Sequence, residues 1–275
     1  MSNDPVLEIQ EVISHYDIGE LVDYEKNERG YVNTSFEIVT LKQGVRKKYF
    51  FRKYKKGVRE DKLMFEHSIV ERLYENQSPP VAKVHKTREG KTYFQRLNSA
   101  GSNSYTYYAI FDFLPGEDRY TWVSPKCNGT EIVQSAHVLA QFHQALFGFQ
   151  PAGSCVEPKI LDLLPKIHAY TEATARISKH TVFDQYLQDN LKLQLRSIEQ
   201  TLQALASPDA RDMVHTIIHC DYHPGNLKFT GDEITGLFDF DWSKVDARCF
   251  DVGLALWYFF ASWSESNDGE MDLVG

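Results

Sequence analysis

Two short runs in the last quarter of the chain constrain its fold more than any other feature. His219-Cys220-Asp221-Tyr222-His223-Pro224-Gly225-Asn226 is the first, and Phe238-Asp239-Phe240-Asp241 follows it closely. Between them, Leu227 to Thr230 and Glu233 to Phe238 flank Gly231-Asp232, a pattern that predicts two short strands around a tight turn. If Thr230 faces Glu233, Asn226 and Asp239 fall within about two residues of being opposite each other, at the open end of the hairpin. An amide oxygen beside a carboxylate makes a hard, oxygen-only donor set of the kind Mg²⁺ takes while keeping water and phosphate in its other positions. Asp221, held in a loop by Pro224 and Gly225, then becomes a candidate base beside that cation.

HxDxxxxN followed by an Asp at the end of an apolar strand matches the protein-kinase catalytic pattern, in which the first Asp takes the hydroxyl proton and the Asn and second Asp hold metal. HCDYHPGN with GLFDFDWS resembles the aminoglycoside phosphotransferase and choline kinase superfamily, which includes type II homoserine kinases and shares the protein-kinase fold. The resemblance implies Asp221 as catalytic base, His219 as the residue orienting the loop, Asn226 and Asp239 as Mg²⁺ ligands, and ATP as phosphoryl donor. A competing reading of His219, Asp221 and His223 is a zinc or iron site, although Pro224-Gly225-Asn226 and the second Asp have no role in it. Single His and Asp residues in turns are also commonly structural.

A kinase needs a cation on its phosphates and an acid to hold that cation. Tyr49-Phe50-Phe51-Arg52-Lys53-Tyr54 reads as an apolar strand breaking into charge after a turn at Gly44, and it resembles the family variant with Arg at the phosphate-binding position, here Arg52 rather than Lys53. Ten of the 21 residues from Lys42 to Lys62 are Lys or Arg, and a solvated basic hairpin accounts for most of them. Leu63, Glu66, Val70 and Leu73 share one face of a predicted helix over 61–74, so an inward Glu66 is expected to pair with Arg52; an edge position reaching solvent is the alternative. Gly30 to Phe36 resembles the GxxNxxF form of a nucleotide loop, implying Asn33 and Ser35 as nucleotide-binding, though a turn into a strand reads equally well. Tyr107 to Gly116 is an apolar strand ending in Pro-Gly; the family's interlobe hinge lies here, which implies adenine contacts at Asp112 and Leu114.

Beyond the hinge the period becomes helical. Ile132, Ala136, Leu139, His143 and Leu146 share a face, placing His143 in the core, and Leu187 to Leu205 mark a long amphipathic scaffold helix over 183–206. The run from Trp242 to Ala255 resembles the family's tail of the metal loop, which implies Asp251 at a helix start as a cap or a brace for the catalytic loop; a carboxylate there is favourable on its own. Strands before residue 115 and helices after 130 give an α+β chain, for which the family resemblance implies a protein-kinase-like bilobed fold with an antiparallel sheet lobe over 1–114 and a mostly helical lobe over 115–275 carrying the catalytic and metal loops.

A formal charge of −8 argues against a nucleic-acid binder and suits a cationic or zwitterionic acceptor. Homoserine, choline-like and aminoglycoside alcohols all fit, and Tyr120, Trp122, Trp242 and Trp257 are available to an amine, though such residues are more often core. The four cysteines have no metal or disulfide spacing, the first residues are unlike a signal peptide, and the longest apolar run, Val252 to Trp263, is too short to span a bilayer, so no membrane contact and a cytoplasmic location are expected. Family members generally continue with further helices on the acceptor side, so an end at Gly275 reads as an early stop; a nucleotide-binding module without turnover is therefore the alternative function, with a metallohydrolase using His219, Asp221 and His223 the third.

Overall fold

A computed structural model describes residues 5–29, 32–98, 103–155, 157–177 and 181–261, without the side chain of Asp209. Gly30, where the nucleotide-loop resemblance starts, part of the polar loop 98–104, Trp263 and the chain end at Gly275 lie outside the described residues.

The first lobe is built on strands β1 (Glu20–Asn27), β2 (Thr34–Lys42), β3 (Val45–Lys53), β4 (Phe94–Leu97) and β5 (Tyr105–Asp112), in one five-stranded sheet ordered β1-β2-β3-β5-β4. All neighbouring pairs are antiparallel. The turn from β2 to β3 uses Gln43 and Gly44 at φ 51° and 81°, the doubly left-handed pair whose twist suits a two-residue hairpin. Helix α1 (Pro5–Ile13) covers one face of the sheet, closing Ile9, Val12 and Ile13 over Phe36, Ile38, Phe51, Tyr108 and Ile110. Tyr107, Ala109 and Phe111 point to the other face and join the main core with helix α2 (Glu60–Asn76). Because β5 is covered on both sides, it reads as an unbroken apolar run instead of an alternating one.

Alternation also separates two adjacent cations. Lys53 reaches Glu8 of α1 at 2.8 Å, whereas Arg52 points through the opposite face into the cleft. The chain then crosses to helix α3 (Gly129–Leu146), which opens on a reciprocal capping box between Asn128 and Glu131. Helices α4 (Ile160–Ala175) and α5 (Val182–Leu205) follow. The expected amphipathic helix is present in α5, but none of its residues is buried: its leucine stripe leans half-covered on α4, and Phe183 stays 82% exposed.

Two small antiparallel pairs carry the loops of interest. Strand β6 (His215–Ile218) pairs with β9 (Lys244–Ala247), and β7 (Leu227–Thr230) pairs with β8 (Glu233–Leu237) around Gly231-Asp232. Thr230 faces Glu233, as the turn residues predict, and one irregularity between Lys228 and Phe229 then shifts the pairing by a residue, so that Leu227 faces Leu237. Helix α6 (Arg248–Phe260) packs beneath.

Candidate active site

The loop from β6 to β7 and the loop from β8 to β9 leave the same end of the second lobe, joined where the Phe238 N–H donates to the Asn226 carbonyl at 3.2 Å. His219 is fully buried behind them. Its Nδ1 accepts the Asp221 N–H at 3.3 Å and its Nε2 lies 3.2 Å from the Phe238 carbonyl, so one imidazole ties the two loops together. With one nitrogen accepting and the other donating, the ring has no lone pair left for a metal, which removes the zinc or iron reading. Burial pushes the His219 pKa down and favours this neutral form.

Asp251 braces the loop from below. Its carboxylate accepts the N–H groups of His219 and Cys220, each at 2.8 Å, and His143 Nε2 stands 2.8 Å away on the other side. Asp251 lies within the first turn of α6, where Ala247 is the N-cap, so it acts as brace and not as cap. His143 is the buried core histidine expected on α3.

Asp221 is held open to the cleft. The Asn226 amide nitrogen donates to its carbonyl at 2.9 Å and to its carboxylate at 3.4 Å, while His223 Nε2 stands 3.7 Å from Oδ2. Burial opposes its charge, but these donors win and keep the Asp221 pKa below the usual carboxylate value. With its nitrogen committed, the Asn226 amide presents oxygen on its other side. Asp239 adopts φ 68°, a left-handed backbone uncommon for residues other than glycine, asparagine and aspartate. It lies deep in the cleft with 39% of its side chain open; burial, reinforced by Asp241 and Asp221 against the pull of Arg52, raises its pKa to about 6.

Arg52 faces this pair from the first lobe. Its guanidinium lies 3.2 Å from Glu66, 3.2 Å from Asp241 and 3.8 Å from Asp239, so the Arg52–Glu66 pair read from strand and helix spacing is present and two further carboxylates join it. Burial alone would lower the Arg52 pKa, but Asp241 and Asp239 hold it above the ordinary value. Glu66 is pushed well up by burial and Asp241, and Tyr54 Oη supports it at 3.3 Å. Asn33 donates to Asp241 at 2.7 Å, and Ser35 lies buried opposite Arg52 in the β2–β3 register. Asp112 sits at the end of β5 with its carboxylate occupied by Lys47 at 2.8 Å and His85 at 3.0 Å, and its N–H donates to Lys83. Leu114 packs on β8 so closely that a Cβ on Gly236 would stand 3.0 Å from its Cδ1.

The residue missed by sequence reasoning is Asp241. The available signal was the second carboxylate itself: Phe238-Asp239-Phe240-Asp241 sets Asp241 two residues from Asp239, with the buried Phe240 between them.

Hard oxygen donors, an ionised carboxylate beside them and a buried guanidinium opposite, set between a sheet lobe and a helical lobe, define a phosphotransferase of protein-kinase-like architecture. The chain belongs to the phosphotransferase enzyme family, whose sequence model matches residues 23–271. It is similar to the homoserine kinase of Parvibaculum lavamentivorans, 26% identical over 276 residues that cover 98% of this chain and 73% of the relative. The homoserine kinase of Methylocella silvestris is 29% identical over 253 residues, 90% of this chain and 68% of that protein. Among solved structures, the amicoumacin kinase hAmiN, determined with AMP-PNP, Ca²⁺ and Ami, superposes with a TM-score of 0.64 at 16% identity, covering 94% of this chain and 69% of its own. Among the described residues, no helix is long and apolar enough to cross a membrane.

Proposed function

We propose that the protein is an ATP- and Mg²⁺-dependent kinase that phosphorylates the hydroxyl of a small amine-bearing molecule, with homoserine the first acceptor to test. The observation that carries this reading is the convergence of Asp221, Asn226 and Asp239 on one cleft face opposite Arg52. The donor set fits the cofactor: the Asn226 oxygen and the Asp239 carboxylate are hard ligands, and Arg52 Nε is buried with no protein partner among the described residues, a spare donor suited to an anion. When bound, MgATP supplies the phosphoryl group and neutralises its developing charge.

Each side chain then has one task. Asp221, ionised at neutral pH, orients the acceptor hydroxyl and takes its proton on a carboxylate oxygen. Asn226 and Asp239 would hold the metal, Arg52 the phosphates, and Glu66 keeps Arg52 extended across the cleft. Asn33 and Ser35 would lie along the nucleotide, and the backbone of Asp112 and Leu114 would meet the adenine. On the far side of Asp221, Trp122, His223 and Tyr258 form an aromatic wall, with ring centroids 5.8 Å apart for Trp122–Tyr258 and 5.4 Å for His223–Tyr258. Burial, with the nearby Asp221, pushes the Tyr258 pKa up. Aromatic faces beside a carboxylate favour an ammonium group, consistent with the homoserine kinases among the relatives.

The test is a thermal shift with MgATP followed by ADP release in the presence of homoserine, choline and an aminoglycoside. Asp221→Asn should lower transfer roughly a hundredfold or more while nucleotide still binds. Normal turnover in that variant, or no ADP release with any acceptor, would refute the assignment.

A further inference from the structure

Asp241 has no task in the scheme above, yet its two oxygens bind two separate segments of the other lobe. One oxygen accepts from Arg52 Nη1 at 3.2 Å and the other from Asn33 Nδ2 at 2.7 Å, with only 18% of the side chain exposed. Asn33 in turn accepts the Lys55 N–H at 3.0 Å through its own oxygen. Asn33 and Asp241 are 208 residues apart and stand on opposite lobes, so this bond closes the cleft from the segment ahead of β2 to the loop after β8.

The backbone between Asp239 and Asp241 supplies a second observation. Aspartate tolerates the left-handed region better than most residues, and contacts on both sides of Asp239 hold it there. On the near side, Phe238 is held at both its N–H and its carbonyl, by Asn226 and His219. On the far side, the Ser243 N–H donates to the Phe240 carbonyl at 3.0 Å, the Phe240 ring stacks on Phe142 at 6.1 Å, and Asp241 takes Arg52 and Asn33.

We propose that Asp241 is a positioning residue: through Arg52 and Asn33 it pins the far side of the left-handed turn, aiming the Asp239 carboxylate into the cleft, and it fastens the Asn33 segment over the nucleotide phosphates. This rests on the kinase reading and deepens it. Asp241 thereby couples two elements that both contact MgATP, so removing the bond weakens binding of the metal complex more than binding of the free nucleotide.

A charge swap tests it by calorimetry with AMP-PNP. Asn33→Asp retains the acceptor for Lys55 and replaces only the donor, setting two carboxylates face to face; Kd for Mg-AMP-PNP should rise about tenfold or more, and Kd for metal-free AMP-PNP by less than half as large a factor. Adding Asp241→Asn restores a donor and acceptor with their roles exchanged, and should bring Kd back to within about threefold of the Asp241→Asn single variant. Urea unfolding of all three proteins separates binding from stability, and both substitutions are nearly isosteric. A double variant that binds no tighter than Asn33→Asp, or equal losses with and without Mg²⁺, overturns the latch while leaving the kinase reading standing. A wild-type protein that binds AMP-PNP in neither form overturns both.

Discussion

Asp251 and His219 are 32 residues apart and joined by a 2.8 Å hydrogen bond from the His219 N–H to Asp251 Oδ2, with both side chains fully buried. The same carboxylate takes the N–H of Cys220, whose φ of 64° turns the chain toward Asp221. Asp221, the proposed base, is therefore aimed from the start of α6. Asp251→Ala leaves two N–H groups and His143 without their acceptor and should cost about 3–5 kcal/mol of stability in urea unfolding. A loss below about 1 kcal/mol would mean that the loop holds its shape without the brace.

Arg52 carries three carboxylates. Arg52→Lys retains the charge but loses the planar fork that spans them, so nucleotide affinity should fall about tenfold, and Arg52→Met should fall further and destabilise the fold. Calorimetry and urea unfolding measure the two effects separately. In the same assay Asp239→Ala should weaken Mg²⁺-dependent binding more than Glu66→Ala; the reverse order would count against Asp239 as a metal ligand.

Gly225 passes so close to Trp122 that an added Cβ would lie 2.6 Å from its nitrogen and 2.7 Å from its Cα, both backbone atoms. Gly225→Ala must therefore shift the loop that carries Asp221 and Asn226, so transfer should drop at least about tenfold and MgATP affinity should fall with it. Gly253, inside α6, meets nothing within 4 Å, and Gly253→Ala should stabilise by about 0.5–1 kcal/mol. Steady-state kinetics on the first variant and thermal melts on the second check the contrast.

His67 is buried between Tyr54 Oη at 2.9 Å and Thr92 Oγ1 at 2.8 Å, and burial next to Arg52 pushes its pKa down to about 3. The folded protein keeps it neutral while the unfolded chain protonates it below about 6.5, so its contribution is complete above that value and is lost as pH falls. Between pH 7 and pH 4.5 this should remove up to about 2–3 kcal/mol of stability. His67→Gln should show a correspondingly shallower dependence in urea melts, and an unchanged slope would refute the linkage.

Features of short range were legible in the sequence. Gly231-Asp232 set the β7–β8 register, and the spacing of Leu63, Glu66, Val70 and Leu73 turned Glu66 inward on α2. Where one residue's place depends on what covers an element, periodicity was insufficient. The α5 stripe announced a face without saying that, among the described residues, it would lean mainly on α4, and Asp112, read as part of the hinge, has its carboxylate drawn aside by Lys47 and His85.

By itself the sequence determined the chemistry on offer and the local elements that present it: an Asp-bearing loop, an Asn and an Asp at one hairpin end, an Arg on a strand. Only the tertiary structure decided that Arg52 meets Asp241 across 189 residues, that Asn33 meets it across 208, and that Asp251 reaches back to the catalytic loop. The reason is range. Backbone geometry relates residues within a turn of helix or a hairpin, whereas contacts between lobes follow from how the sheet, α2 and the two loops pack around a shared core.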